Sequence, residues 1–293
     1  MKLIATMPVR NEAWIIGLSA RVALQWCDEL CIGNHASTDR TGDILGELQF
    51  DFPGRVHVVS YPETVWTEMQ HRQTLLEMAR IHKATHIAIV DADEILTGNS
   101  PARELIDAMN SAAITQLPLY NMRAEIDRFH TSGIWGRRWG SIAFEDDGRL
   151  YWWKPERSGA YDHHQREPKG MLLSQYKPVS QGNGGIMHLW GVTERRLIAK
   201  HALYKMSERV KFPEFPVSQI DYMYSLAIHG RPPHDMPAGW QYQKAPETWW
   251  APYQNLMQYL DLKAEPWQEA ECKRLIDKHG RAPFAGLDLF GVV

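Results

Sequence analysis

The chain has 293 residues, enough for one large α/β domain or two small ones with a full core, and its net charge of -3 speaks against a generally sticky nucleic-acid binder. With 44% hydrophobic and 23% charged residues the composition is that of an ordinary soluble protein, which excludes wholesale disorder. No apolar run reaches the roughly 20 residues a membrane-spanning helix needs, and MKLIATMPVRNE turns polar too soon for a signal peptide, so a cytoplasmic location is the expectation.

Lys2 to Met7 is predicted as a first strand, stopped by Pro8 because proline cannot donate to a central ladder. Arg10, Asn11 and Glu12 fill a polar turn. Ala13 to Trp26 follows as a helix, in which Trp14, Ile15, Leu18, Val22 and Trp26 recur at helical spacing. Glu29 to Ile32 is a second strand, and GNHASTDRTGDIL behind it is a loop that turns into a helix with Ser37 or Thr38 as its cap. Cys27, Cys31 and Cys272 are too few and too irregular for a disulfide framework or a zinc site, which makes them buried free thiols. Arg55 to Ser60 alternates as a third strand does. Val65 to His82 then carries Met69, Leu75, Leu76, Met78, Ala79 and Ile81 on a helical pattern, with Arg72 on another face.

The stretch HIAIVDADEIL, His86 to Leu96, is the centre of the pattern. Ile87, Ala88, Ile89 and Val90 suit a strand buried on both faces of a parallel sheet. The strand ends on Asp91, Asp93 and Glu94, and open α/β sheets bind their ligands at the C-terminal ends of strands. Two acids one residue apart can share a divalent cation such as Mg²⁺ or Mn²⁺; the plainer alternative is that Asp93 or Glu94 caps a backbone in a strand-to-helix turn. Ser100-Pro101 opens a further helix, with serine as N-cap, and Ile114 to Tyr120 is another strand. The first 120 residues thus alternate β and α, so the fold class is α/β with a mostly parallel sheet flanked by helices. Neither GxGxxG after the first strand nor GxxxxGK[ST] occurs, so a bound phosphate would rely on a metal and on Arg or Lys side chains.

The second half is less regular. FEDDGRLYWW is predicted as a hairpin with Asp147-Gly148 at its turn, and its acids are candidates for a general base, although turn geometry alone explains Asp-Gly. Residues 155 to 185, with HHQREPKG in the middle, form a loop-rich segment. GGIMHLWG then sets His188 in an apolar run, where a lone histidine is commonly a core residue. Thr193 to Arg209 is helical, and Arg195, Arg196, Lys200, Lys205 and Arg209 give it a basic side, either a solvated face or a nucleic-acid contact. Helices are predicted at Gln219 to His229 and Trp267 to Lys278 in a proline-broken remainder. The 12 tryptophans, some paired as Trp152-Trp153 and Trp249-Trp250, are core or are platforms on which sugars and bases stack.

MPVRNE after the first strand, ASTDRT after the second, Arg72 before the fourth and VDADE at its end together resemble the glycosyltransferases of family 2 type, which have the GT-A fold. The resemblance implies a nucleotide-sugar-binding half over residues 1–120, an acceptor half over 121–210 completing the same domain, and a helical, proline-rich extension over 211–293. It implies that Pro8, Arg10, Asn11 and Glu12 line the nucleotide pocket, that Asn34 and Asp39 lie near the base, and that Arg72 lies near the acid loop. The family usually has an acid where this chain has Asn34 or His35. Asp91, Ala92 and Asp93 are the implied DxD element, with Asp91 and Asp93 on a Mn²⁺ or Mg²⁺ ion. His188 resembles the histidine that completes the metal shell in a subset of the family, and Lys200 on the helix after it would place positive charge near the diphosphate.

The implied reaction moves a glycosyl group from a nucleotide-diphosphate sugar, a UDP-sugar foremost, to a carbohydrate, protein, small-molecule or nucleic-acid acceptor such as a modified DNA base. An inverting enzyme needs a group to take the acceptor proton, for which Asp146, Asp147, Asp162 and His164 are the candidates. A nucleotidyltransferase would show a glycine-rich loop after the first strand, which MPVRNE lacks. A non-catalytic sugar or nucleic-acid binding module would have no need of the Asp91/Asp93 pair.

Overall fold

In a computed structural model of the chain, strict alternation along the central strands decides the layering. Strand β1 (Leu3–Val9) sends Leu3, Ala5, Met7 and Val9 into one core and Ile4 into another; in β4 (His86–Ile89), Ile87 and Ile89 face the second core while Ala88 faces the first. Side chains of a strand alternate between faces, so an uninterrupted apolar run is buried on both. The first core is closed by α1 (Ile16–Trp26), α2 (Thr41–Asp51) and α4 (Ala102–Asp107). The second is closed by α3 (Glu68–Ile81), through Met69, Leu75, Leu76 and Ala79. The structure describes residues 1–62, 67–108, 113–132, 135–136, 138–153, 166–170, 175–178, 184–229 and 241–293.

The chain forms two compact units. The first comprises Met1–Leu119, Arg138–Met187 and Pro246–Asp261. Its sheet has β1 between β4 and β2 (Glu29–His35), parallel to both, with β3 (Val56–Tyr61) parallel to β2 at the edge. β5 (Glu94–Leu96) follows the acids. On the far side of β4, β8 (Arg138–Glu145) and then the first part of β6 (Ala113–Arg123) continue the sheet antiparallel to their neighbours, and the short β9 (Gln175–Pro178) adds in parallel to β6. The expected mixed α/β fold with a mostly parallel central sheet is the fold observed.

The second unit comprises Tyr120–Arg137, His188–Ala245 and Leu262–Val293. In it the end of β6 pairs with β7 (Glu125–His130), and β7 with β11 (Tyr242–Lys244), both antiparallel. β10 (Ile186–Gly191) leads into α5 (Glu194–Lys211), whose N-cap Thr193 accepts a bond from the Arg196 amide. Helix α5 packs with α7 (Trp267–His279) through Ala202, Leu203, Met206, Cys272 and Leu275. Helix α6 (Val217–His229) lies against α5 as well.

Several local expectations give way. Pro8 does not stop β1 but sits inside it, opposite Gly33. The Thr6 carbonyl accepts from Val90, so the missing N–H of Pro8, two residues on, turns to the same side, where β4 has already ended at Ile89. Neither Ser37 nor Thr38 caps α2; the Asp39 carboxylate bonds the Thr41 amide instead. Ser100 does not cap α4, whose N-cap is Pro101. Asp147-Gly148 does make a turn, with Gly148 at φ 79°, but no hairpin follows, because Tyr151 pairs with Lys169. The chain divides at Leu119/Tyr120, within one residue of the expected 120, while His188–Ala245 runs through 210–211 within the second unit. Pro246–Asp261 belongs to the first unit, where Trp249 accepts from the Gly98 amide at 2.8 Å and a Cβ on Gly98 would lie 2.4 Å from Pro252. Among the described tryptophans, Trp14, Trp152, Trp190, Trp249 and Trp250 are buried core residues, Trp26, Trp135, Trp153 and Trp267 are partly buried, and Trp139 is exposed. The cysteines are buried free thiols, and burial pushes Cys31 and Cys272 up to about 12.

Candidate functional site

The sheet order creates the site. The chain runs from β1 outward to β2 and β3, then returns to place β4 on the other side of β1. Two successive connections therefore leave in opposite directions from the C-terminal ends of β1 and β4, and a crevice at such a reversal is where open α/β sheets bind ligands. The loop after β1 carries Arg10, Asn11 and Glu12; the turn after β4 carries Asp91, Ala92 and Asp93.

The first loop is tied to the loop after β2. Asn11 has φ 53°, a left-handed conformation that asparagine tolerates, and its carboxamide oxygen accepts from the Thr38 amide at 2.6 Å and the Asp39 amide at 3.3 Å. In return the Asn11 amide donates to Ser37 Oγ, the Glu12 amide to Thr41 Oγ1 and the Ala13 amide to Asp39 Oδ2, all between 2.9 and 3.1 Å. Asp39 and Asn11 are thus latches between two loops. Arg10 reaches back to His35 Nδ1 at 3.3 Å, and the His35, His71 and Tyr61 rings stand side by side at 4.6 and 4.3 Å. Burial, and then the adjacent His35 ring, push the His71 imidazole down to about 4, so it is neutral at pH 7. Asn34 keeps a buried carboxamide oxygen that no hydrogen bond satisfies.

The acids after β4 are held by arginines. Arg72, from α3, donates to Asp91 Oδ1 at 2.8 Å and to Glu68 at 2.9 Å. Arg166 grips Glu94 with both terminal nitrogens, at 2.9 and 2.6 Å, and reaches Asp91 Oδ2 at 3.1 Å. Its remaining bonds go to the carbonyls of Ser141 and Ile89. Glu94 closes the turn by accepting from the Asp91 amide while its own amide donates to the Asp91 carbonyl. Burial alone would push Asp91 up, but the guanidinium groups of Arg72 and Arg166 outweigh it and hold the carboxyl at about 2. Asp93 is half-buried.

Among the described residues the cluster gathers three carboxylates, Glu68, Asp91 and Glu94, around the two guanidinium groups, with the Asp93 carboxylate beside Asp91. Carboxylate oxygens suit a divalent cation, and a carboxylate bonded to arginine retains further acceptor positions. Arg72 also keeps one buried nitrogen, Nη1, without a hydrogen-bond partner. A buried donor left unsatisfied in this way fits an oxygen of a bound ligand.

The other expected residues stand elsewhere. Asp146 accepts two 2.7 Å bonds from Arg80, and its backbone amide donates to the Thr85 carbonyl. Because β8 runs antiparallel to β4 with Glu145 opposite His86, Asp146 and Asp147 lie at the start of β4, five residues from Asp91. At about 3.3 Å per residue that is on the order of 16 Å away, too far for either to share a reacting centre with the acids. Asp147 makes its bonds to Arg149. Asp162 and His164 lie outside the described residues. His188 belongs to the second unit, where Nδ1 lies 3.1 Å from Asn121 Oδ1, an oxygen that also accepts from Trp190 Nε1 at 3.0 Å. Lys200 sits over the Trp190 ring at 5.6 Å.

The basic side of α5 divides: Arg195 is exposed, while Arg196 and Lys205 are buried. Arg195 pairs with Glu269 at 2.7 Å, Arg196 is buried and donates to the Ala264 carbonyl, and Arg209 donates to backbone carbonyls. Lys205 is fully buried, bonded to Asp221, Ser225 and the Asp288 carbonyl. Helical spacing showed these charges on one side; it carried no signal that the rest of the unit wraps over Arg196 and Lys205. Arg166 and Glu68 were not singled out from sequence. Glu68 lies one helical turn before Arg72, a spacing that pairs an acid with a base and was legible. Arg166 gave no signal, since its acidic partners Asp91 and Glu94 lie more than 70 residues away.

No protein-family model and no curated protein matches the chain. Among solved structures, the 1–349 fragment of TarS from S. aureus aligns over 78% of this chain and 71% of that one, at 12% identity and a TM-score of 0.45. The same fragment in complex with UDP aligns over the same shares at 13% identity and a TM-score of 0.41. A 4-diphosphocytidyl-2C-methyl-D-erythritol synthase aligns over 49% of this chain and 74% of that one, at 16% identity and a TM-score of 0.33. No helix among the described residues is long and apolar enough to cross a membrane.

Proposed function

We propose that the protein is a glycosyltransferase of GT-A type that uses a nucleotide-diphosphate sugar, a UDP-sugar foremost, with Mn²⁺ or Mg²⁺. The observation that carries this is the Asp91–Asp93 turn at the sheet's reversal point, where Arg72 and Arg166 hold the Asp91 carboxyl as an anion. Asp93, with Asp91 beside it, would hold the ion. When bound, the cation supplies Lewis-acid stabilisation of the diphosphate leaving group. Arg72 keeps Asp91 ionised and offers its remaining Nη1 donor to the ligand. Arg166 fixes the turn by clamping Glu94, so the acids are positioned before any ligand arrives.

The candidate bases among the described residues, Asp146 and Asp147, are assigned to structure rather than to proton transfer. The role of acceptor base passes to His164 or Asp162, two and four residues along the chain from Arg166. The proposed acceptor is a carbohydrate or small molecule. A nucleic acid is set aside because Lys205 spends its charge in the interior, Arg196 is buried, and Arg195 is paired with Glu269.

The nucleotidyltransferase reading is disfavoured on the same geometry. Such a reaction needs backbone amides after the first strand to cradle a phosphate chain, and here the amides of Asn11, Glu12 and Ala13 are consumed by Ser37, Thr41 and Asp39.

A thermal-shift panel of UDP-, GDP-, CMP- and TDP-sugars, with and without Mn²⁺, tests the proposal. At a hundredfold excess over Kd a ligand stabilises by about 2.7 kcal/mol, a rise of about 5–10 °C. One nucleotide class should give that rise only with Mn²⁺, and Asp93→Asn should abolish both the rise and Mn²⁺-dependent sugar-nucleotide hydrolysis. No shift with any donor, or an Asp93→Asn protein that behaves as the parent does, would sink it.

A further inference from the structure

At the opposite edge of the same sheet, two imidazoles and a carboxylate converge. Glu29 opens β2, His57 is near the start of β3, and His82 caps the C-terminal end of α3. Cys31 and His57 are register partners, and Glu29 lies two residues before Cys31 on the same side of its strand, the side covered by α3. His57 Nε2 lies 2.9 Å and His82 Nδ1 3.8 Å from the same oxygen, Glu29 Oε2. The three ligating atoms all lie within 4.8 Å of one another, and among the described residues this is the group of His, Cys, Asp and Glu side chains close enough to share one ion.

We propose that Glu29, His57 and His82 form a binding site for a divalent transition metal, zinc foremost, that is separate from the donor site. Two neutral imidazoles and one carboxylate are a donor set that Zn²⁺ accepts, and mixed N/O ligation favours it over Mg²⁺. Lys2 sets up the carboxylate rather than competing for it: its ammonium binds Glu29 Oε1 at 2.5 Å and the His82 carbonyl at 2.6 Å, leaving Oε2 to the imidazoles. Burial works to push the Glu29 carboxyl up, but Lys2 and His57 together hold it low, so the ligand is an anion at neutral pH. Burial and the neighbouring His57 push the His82 imidazole down, so it offers a lone pair rather than a proton. The rings lie stacked with centroids 3.5 Å apart and planes 24° from parallel. Both nitrogens therefore reach one ion only if a ring tilts. His82, a third exposed at the end of its helix, is the ring with room to do so. A loaded site would clasp β2, β3 and α3 at the sheet edge, with a fourth position left to water.

Zinc and cobalt titrations of the full chain test this in an Asp93→Asn background, so that metal at the donor site is not counted. The expected result is one equivalent of Zn²⁺ bound, a raised melting temperature, and the intense visible bands of tetrahedral Co²⁺. His82→Ala should weaken binding at least about tenfold, since loss of a ligand costs no less than loss of an outer-shell partner. Glu29→Gln, which keeps the shape of the side chain, covers the case in which a histidine variant misfolds, and it should weaken binding as much. The assignment is overturned if no zinc binds, or if binding and the Co²⁺ spectrum survive in either folded variant. The donor-site reading is untouched by that failure, because its own test uses sugar nucleotides.

Discussion

Replacing Arg166 by methionine probes the frame of the acid turn directly, because methionine keeps an apolar stem and removes the charge. The Glu94 side chain is 4% exposed and would lose bonds of 2.9 and 2.6 Å, while Asp91, 32% exposed, would lose one of 3.1 Å and keep Arg72. Removing one partner of a buried ion pair costs about 3–5 kcal/mol, because a charge is stranded in the interior. Arg166 itself is 19% exposed and Asp91 can be hydrated, which favours the lower end, about 3 kcal/mol. At about 2–4 °C per kcal/mol the melting temperature should fall by about 6–12 °C. The assay is thermal unfolding of the parent, Arg166→Met, Glu94→Gln and the double variant. The double variant should be less destabilised than the sum of the singles by at least about 1 kcal/mol, since removing both charges strands neither. A fall below about 2 °C, or strict additivity, would refute the view that the pair holds the turn.

The remaining predictions follow from the same network. Asp91 is held at about 2 rather than 3.8, and at about 1.4 kcal/mol per unit the net contribution, after burial and Asp93 have opposed the two arginines, is about 2 kcal/mol. A carboxyl depressed by folding stabilises above its unfolded value and loses that contribution as pH falls from about 4 to about 2. Arg72→Met should therefore flatten stability against pH in that window, as measured by urea unfolding at stepped pH; an unchanged acid limb would contradict the pairing. Asp146→Asn should lose stability through its two bonds to Arg80, yet keep the donor-induced thermal shift and sugar-nucleotide hydrolysis, because Asp146 lies at the wrong end of β4. Loss of hydrolysis by a folded Asp146→Asn protein would restore it as a candidate base.

The parts of the fold that follow from periodicity were legible. Alternation in Leu3–Val9 and the apolar run Ile87–Val90 specify two-sided burial whatever packs on them, and helical spacing in Leu75, Leu76 and Ala79 specifies the covering face. Partner choice has no such period. Asp39 sits in a loop of polar residues whose composition suits a helix cap or a ligand contact, and only the approach of the loop after β1 turns it into a latch on Ala13 and Thr41. Lys205 was grouped with the basic side of α5 because helical geometry puts it near Arg209. Its place in the interior is decided by Asp221 and Asp288, which arrive from later elements.

The acids after β4 combine both cases. Their place at a strand end is a local property of HIAIVDADE, but their charge state is long-range, set by Arg72 from the preceding helix and by Arg166 from 75 residues downstream. Without those arginines, three carboxylates so close would repel one another and at least one would take up a proton. With them, Asp91 remains an anion well below neutral pH and the turn keeps its geometry before a cation arrives. The arginines thus do for the unliganded protein part of what a bound cation would do for the complex. It follows that removing Arg166 should loosen the turn while making the cluster more negative, so that cation affinity and turn rigidity respond to that one substitution in opposite directions.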